Sequence, residues 1–153
     1  MSPAHTKEIC ILAIDPSTRG FGFAVLEGPE RLIDWGVKET KNNKNARTLK
    51  LIEDLLDRYL PSVVVVEDYT GKGSRRCRRI QGLINDISKL ASKRKIRVRS
   101  FSRIKVKQVF SESGASNKQD IAHANCRAIS GARAPFTAFQ KTLDERRLPD
   151  EYF

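Results

Sequence analysis

The chain has 153 residues, of which 31% are charged and 39% hydrophobic, and its net charge is +11. That length fits one domain with its own core. No apolar run approaches the roughly 20 residues that cross a bilayer. Three widely spaced cysteines, Cys10, Cys77 and Cys126, argue against a disulfide framework and against zinc. With no signal-like N-terminus, they predict a cytoplasmic protein. The charge is concentrated: between Lys72 and Lys107 fourteen lysines and arginines meet one acid, Asp86, which leaves two net negative charges for the rest. Such a block attracts phosphate backbones and releases their counterions. The bland alternative is a solvated helix face kept basic for solubility. A membrane surface is a weaker rival, since no strongly apolar helix face accompanies the charge.

In chain order, the apolar run 9–14 predicts a buried strand that ends in the turn-forming Asp15-Pro16-Ser17-Thr18-Arg19-Gly20. Residues 20–26 and 32–38 predict two more strands, the latter with Ile33, Trp35 and Val37 on one face, and short turns join all three into an antiparallel meander. Leu49, Ile52, Leu55, Leu56 and Tyr59 recur at helical spacing after the polar stretch 40–45, and Leu60-Pro61 stops that helix. Val63 to Val66, four β-branched residues in a row, predict a strand covered on both sides, so the helix becomes a β-α-β crossover. The Gly-rich stretch 68–74 predicts a loop. Residues 75–93 predict a helix with Ile80, Leu83, Ile84, Ile87, Leu90 and Ala91 inward. A strand at 96–101 and a short helix capped by Ser102 and reaching Phe110 follow. Ser116-Asn117-Lys118-Gln119 has the spacing of a capping box and predicts one more helix. The order β-β-β-α-β-α-β-α-α describes an α/β sandwich around a mixed sheet.

Asp15 and Glu67 each stand at the end of a predicted buried strand, where sites of open α/β sheets form. If the strands are neighbours, the two carboxylates converge and repel unless a cation sits between them. A hard divalent ion such as Mg²⁺ prefers such oxygen ligands, and paired ions serve phosphodiester cleavage. Singly, each acid reads more simply: Asp15 bonding turn amides, Glu67 a surface acid. Together with the basic block they favour a metal site. Other features carry less. Thr70-Gly71-Lys72-Gly73-Ser74 lacks the order of a P-loop. His123 is lone, Cys77 has no evident base, Tyr69 could stack on bases, and Trp35 reads as core.

Ile11-Leu12-Ala13-Ile14-Asp15-Pro16-Ser17-Thr18-Arg19-Gly20-Phe21-Gly22 resembles the opening motif of RuvC-type Holliday-junction resolvases of the RNase H-like superfamily. Val64-Val65-Val66-Glu67 resembles that family's second-acid strand, and Gly114-Ala115-Ser116-Asn117-Lys118-Gln119 its G-x-x-S-K-E-type segment. The resemblance spans about residues 9–124. It implies an RNase H-like mixed sheet, with three antiparallel strands, then parallel strands, and helices on both faces. Asp15 and Glu67 would be catalytic residues and ligands of Mg²⁺ or Mn²⁺. Lys72, Arg75, Arg76, Arg78, Arg79, Lys105, Lys107 and Lys118 would lie along the nucleic-acid path. The implied activity is structure-selective cleavage of branched DNA, by a homodimer. An inactive nucleic-acid-binding module and an RNA-processing nuclease of the same superfamily are the competing readings.

The tail departs from that pattern. The family's last helix, with its final aspartates, has no counterpart after Ala124. The helical period is lost there, and the chain ends in Leu148-Pro149-Asp150-Glu151-Tyr152-Phe153. We therefore expect residues 1–124 to form the nuclease domain. Residues 125–153 are expected to be a poorly ordered, frameshifted or truncated replacement of the closing helix. Asp144 and Asp150 do not stand in the family setting. Weak or absent cleavage, with binding partly kept, is the consequence.

Overall fold

A computed structural model describes residues 8–28, 31–42, 44–112, 114 and 120. Five strands, β1 (Cys10–Pro16), β2 (Gly20–Glu27), β3 (Arg31–Glu39), β4 (Val63–Glu67) and β5 (Arg97–Phe101), form one sheet in the order β3-β2-β1-β4-β5. β3, β2 and β1 are antiparallel neighbours; β1, β4 and β5 are parallel. The expected mixed sheet and RNase H-like class are therefore present. Helices α1 (Lys44–Tyr59) and α2 (Arg78–Lys93) follow β3 and β4, and α3 (Arg103–Ser111) follows β5.

Alternation decides what the sheet buries. Leu12 and Ile14 of β1, Phe21 and Val25 of β2, and Val64 and Val66 of β4 share one face, where they are buried against Ile52, Leu55 and Leu56 of α1 and Ile80, Leu83, Ile84, Ile87 and Ala91 of α2. Burying each larger side chain of this kind contributes about 1.5–3 kcal/mol. Leu90, expected inward, is only half-buried, whereas Thr48 is buried. A polar residue is invisible to a search for apolar period, and Thr48 is tolerated because its hydroxyl meets that of buried Thr40 at 3.4 Å.

Both α1 and α2 cover this one face. On the other face, Ile11, Ala13, Val63 and Val65 are half-buried. Trp35, read from the sequence as core, is likewise only half-buried, and its same-face neighbours Ile33 and Val37 are exposed. β3 is one of the sheet's two edge strands, and neither α1 nor α2 reaches across its outer face.

Gly20 is fixed by a close approach: a Cβ there would stand 1.9 Å from the Lys38 carbonyl oxygen. The antiparallel pairing of β2 with β3, where Gly20 lies opposite Glu39, needs bare backbone at that point, immediately beyond the first acid's turn. α2 begins three residues later than the periodicity predicts. Cys77 is extended and caps it without a side-chain hydrogen bond, and Arg75 and Arg76 remain in the loop. The helix expected at Ser116, and residues 125–153, lie outside the described residues.

Candidate active site

The register of β1 and β4 sets the geometry. Ala13 lies opposite Val65 in the parallel pair. Two residues further on, Asp15 and Glu67 therefore emerge side by side, on the same face and at the same carboxyl ends. Their exposure differs greatly: 72% of the Asp15 side chain is accessible and 11% of that of Glu67.

Between them stands Arg76, its side chain 17% accessible. Its Nη2 donates to Asp15 Oδ1 at 2.6 Å and also pairs with Glu67 Oε2. Nε donates to the same Glu67 oxygen at 2.6 Å, and Nη1 donates to the Pro16 carbonyl at 2.8 Å. All three guanidinium nitrogens are thus engaged by the two strand ends. Burial alone would lower the pKa of Arg76. The hydrogen bond to Glu67 and the charges of Asp15 and Glu67 outweigh it and hold the guanidinium's pKa above its ordinary value.

Glu67 Oε1 is buried and accepts no hydrogen bond from the described residues, although Arg103 Nε stands 3.3 Å away as an ion pair. An orphaned, buried carboxylate oxygen beside a second carboxylate is a donor set that suits a hard cation. No third His, Cys, Asp or Glu completes a metal-binding cluster among the described residues. Asp68, the nearest acid in sequence, is turned away: Oδ1 accepts from Thr70 Oγ1 at 2.6 Å and Thr70 N at 2.9 Å. These bonds, the hydroxyl's first, lower its carboxyl pKa.

The basic residues named from the sequence separate into three groups. Lys72, Arg75 and Arg78 are exposed on the loop and first turn after Glu67, and Lys105 and Lys107 are exposed on α3. Arg76 fills the carboxylate pair. Arg79 is half-buried, donating to Asn45 Oδ1 at 2.8 Å and the Thr18 carbonyl at 3.2 Å, and so braces the turn after Asp15 against α1. Lys118 lies outside the described residues. Arg78 and Arg79 also occupy the positive end of the α2 dipole, an arrangement that costs a helix about 0.3–1 kcal/mol per charge. The position adds to the positive field beside the two acids. Tyr69 is half-buried with its hydroxyl donating to Asn85 Oδ1 at 2.9 Å, and Cys77 is exposed.

Sequence reasoning missed the roles of Arg76 and Arg103 at Glu67. It also missed a second basic cluster at this end of the sheet, where Arg19, Lys41 and Lys44 line a shallow groove of about 300 Å³ with Glu39 and Thr40. Lys44 Nζ reaches the Thr18 carbonyl at 3.2 Å. No signal short of the fold joins these scattered lysines to the turn after Asp15.

Several solved structures share the architecture. Thermus thermophilus RuvC, in a complex with a Holliday junction substrate, matches with a TM-score of 0.65 and 19% identity over 79% of each chain. Thermus thermophilus RuvC in a second structure matches with a TM-score of 0.64 and 21% identity over 82% of each. The yeast mitochondrial Holliday junction resolvase matches with a TM-score of 0.52 and 15% identity over 78% of this chain and 64% of that one. At these identities the likeness speaks for the fold alone. Among curated proteins, none matches the sequence. The family model for crossover junction endodeoxyribonuclease RuvC matches residues 11–131, which includes both acids, the basic block and every strand pairing that brings them together, and so the chain belongs to the RuvC family.

Proposed function

We propose that this chain binds branched DNA, such as a Holliday junction, and cleaves its phosphodiester backbone with divalent metal held by Asp15 and Glu67. The observation that carries the reading is the convergence of both carboxylates on one nitrogen, Arg76 Nη2. Strand ends that deliver two acids to a single cationic point are suited to Mg²⁺ or Mn²⁺. A divalent ion there would supply charge neutralisation and activation of the attacking water. The protein's part is to fix the two oxygens on rigid strands and to bring a phosphate to them. Glu67, nearly buried, is the fixed ligand, and exposed Asp15 is the one open to substrate. Lys72, Arg75, Arg78, Lys105 and Lys107 would neutralise backbone phosphates on the β4 side, and Arg19, Lys41 and Lys44 on the β1 side. Contacts of this kind position a substrate without reading its sequence.

Two carboxylates form a thin ligand set for paired ions, so cleavage is expected to be slow. The same observation favours a second reading, a junction-binding module without cleavage. A cleavage assay on a four-way DNA junction beside a binding assay separates the two. Metal-dependent cutting abolished by Asp15→Asn supports the enzyme. Binding that survives Asp15→Asn, with no cutting by the parent chain at any Mg²⁺ or Mn²⁺ concentration, supports the module. Preference for an RNA precursor over the junction would sink both. The resemblance also implies a homodimer, which sedimentation of the free chain would reveal as twice the monomer mass.

A further inference from the structure

We infer that Arg76 is a displaceable plug: its guanidinium fills the position between Asp15 and Glu67 that a divalent ion would take, so that metal and Arg76 exclude one another. The inference rests on the metal-site reading above and adds to it a competitor supplied by the chain itself.

The geometry argues for competition rather than for a lasting structural bridge. Arg76 Nη2 touches an oxygen of each acid, and an ion bridging those oxygens would have to sit where that nitrogen is. A guanidinium and a divalent cation cannot share the position, because both are positive and both need the same lone pairs. The plug is well made: besides the acids, Nη1 holds the Pro16 carbonyl at 2.8 Å, and the side chain is mostly buried.

It is also built to leave. Arg76 belongs to neither neighbouring element: it lies in the loop between β4, which ends at Glu67, and α2, which begins at Arg78. Its partner Asp15 is 72% accessible, so the pair opens towards solvent. When Arg76 departs, Glu67 keeps a cation nearby, because Arg103 Nε stands 3.3 Å from its other oxygen. Glu67 Oε1, buried without a hydrogen bond among the described residues, remains available to a ligand that supplies what Arg76 does not.

If the plugged form makes up about nine-tenths or more of the metal-free chain, apparent metal affinity falls by about tenfold or more, in proportion to the open fraction. The test is Mn²⁺ binding by the full chain without nucleic acid, followed by calorimetry and by the electron paramagnetic resonance of free Mn²⁺. Parent, Arg76→Gln, Arg103→Gln, Asp15→Asn and the double variant Asp15→Asn/Arg76→Gln are compared, and circular dichroism checks that each is folded. Arg76→Gln should bind Mn²⁺ at least about tenfold more tightly than the parent, and the double variant should lose that gain. Arg103→Gln removes a positive charge near Glu67 but leaves the bridging position as it was, so it should change affinity less than Arg76→Gln does. A gain from Arg103→Gln as large as that from Arg76→Gln would reduce the effect to general electrostatics and overturn the plug. Equal or weaker binding by Arg76→Gln than by the parent, both dependent on Asp15, would also overturn it while leaving the metal site standing. Binding by neither protein above the Asp15→Asn level would remove the metal site itself, and the plug with it. Should Arg76→Gln fail to fold, Arg76→Lys serves in its place. One ammonium nitrogen replaces the three guanidinium nitrogens that hold Glu67, Asp15 and the Pro16 carbonyl, so the plug is weakened, the affinity should lie above the parent's, and parity would overturn the inference.

Discussion

At the scale of single residues, Asp15 and Glu67 were both legible as strand-end acids, but their unequal environments were not. Glu67 sits nearly buried between Arg76 and Arg103, whereas Asp15 is mostly exposed. Glu67→Ala leaves the Arg76 guanidinium short of its principal partner, and should destabilise the fold by about 1–3 kcal/mol in urea unfolding. Asp15→Ala should cost under about 1 kcal/mol, as exposed ion pairs do. Equal losses would show that exposure does not set the hierarchy. A second residue-scale expectation concerns Tyr59, whose hydroxyl donates to Asp34 Oδ2. That bond, then burial, raises the phenol's pKa despite nearby Arg58. Folding therefore makes the proton harder to remove. The stabilisation is complete below the unfolded phenol's pKa and is lost as pH rises through the raised one. Ultraviolet titration should show one phenol ionising late, and Tyr59→Phe should delete that phase. A titration unchanged by Tyr59→Phe would refute it.

At the scale of elements, the strong apolar periods of α1 and α2 were sufficient. Along α2, Ile80, Leu83, Ile84, Ile87 and Ala91 are buried as expected, and Leu90 alone of the predicted inward set is not. A helix with one apolar stripe has a single way to lie on a sheet. Leu83→Ala should cost about 2–5 kcal/mol by equilibrium unfolding, the range for cavities in a packed core. α3 differs. It has no buried residue, and Ser102 Oγ caps it by accepting from Lys105 N at 3.2 Å. Removing a cap costs about 1 kcal/mol, but for α3 the cost is local. Ser102→Ala should speed amide exchange across residues 103–111 and leave the global unfolding midpoint unchanged. A lowered midpoint would mean that α3 folds as one unit with the core. The start of α2 was misplaced by pattern alone, since Arg75 and Arg76 are compatible with a helix, and only the carboxylates opposite explain why Arg76 stays outside it.

At the scale of the whole molecule, the net charge of +11 matters through its distribution. Exposed Lys105 and Lys107 of α3, which follows β5, and the loop after Glu67 place positive charge at the same sheet end as the acids. For binding dominated by phosphate contacts, affinity falls linearly with salt on logarithmic axes. Changing Lys105 and Lys107 together to alanine should reduce that slope by about two, roughly one for each phosphate that is no longer neutralised. It should weaken junctions of different sequence alike. Fluorescence anisotropy across a salt series measures both, and an unchanged slope would take α3 out of the interface.

The sequence by itself determined the strands, the two long helices, the location of the positive charge and the identity of the two acids. Each is written locally, in periods of two or 3.6 residues or in a short motif. Tertiary structure decided which strands are neighbours. The pairing of β1 with β4, in the register Ile11 to Val63 and its successors, joins segments far apart in the chain and has no local signature, yet it alone sets Asp15 beside Glu67. The same pairing gave Arg76 its place. As one arginine among fourteen basic residues between Lys72 and Lys107, it carries no distinguishing mark. It becomes singular because two anionic strand ends meet within its reach, and charge attraction in that partly dry corner holds it there.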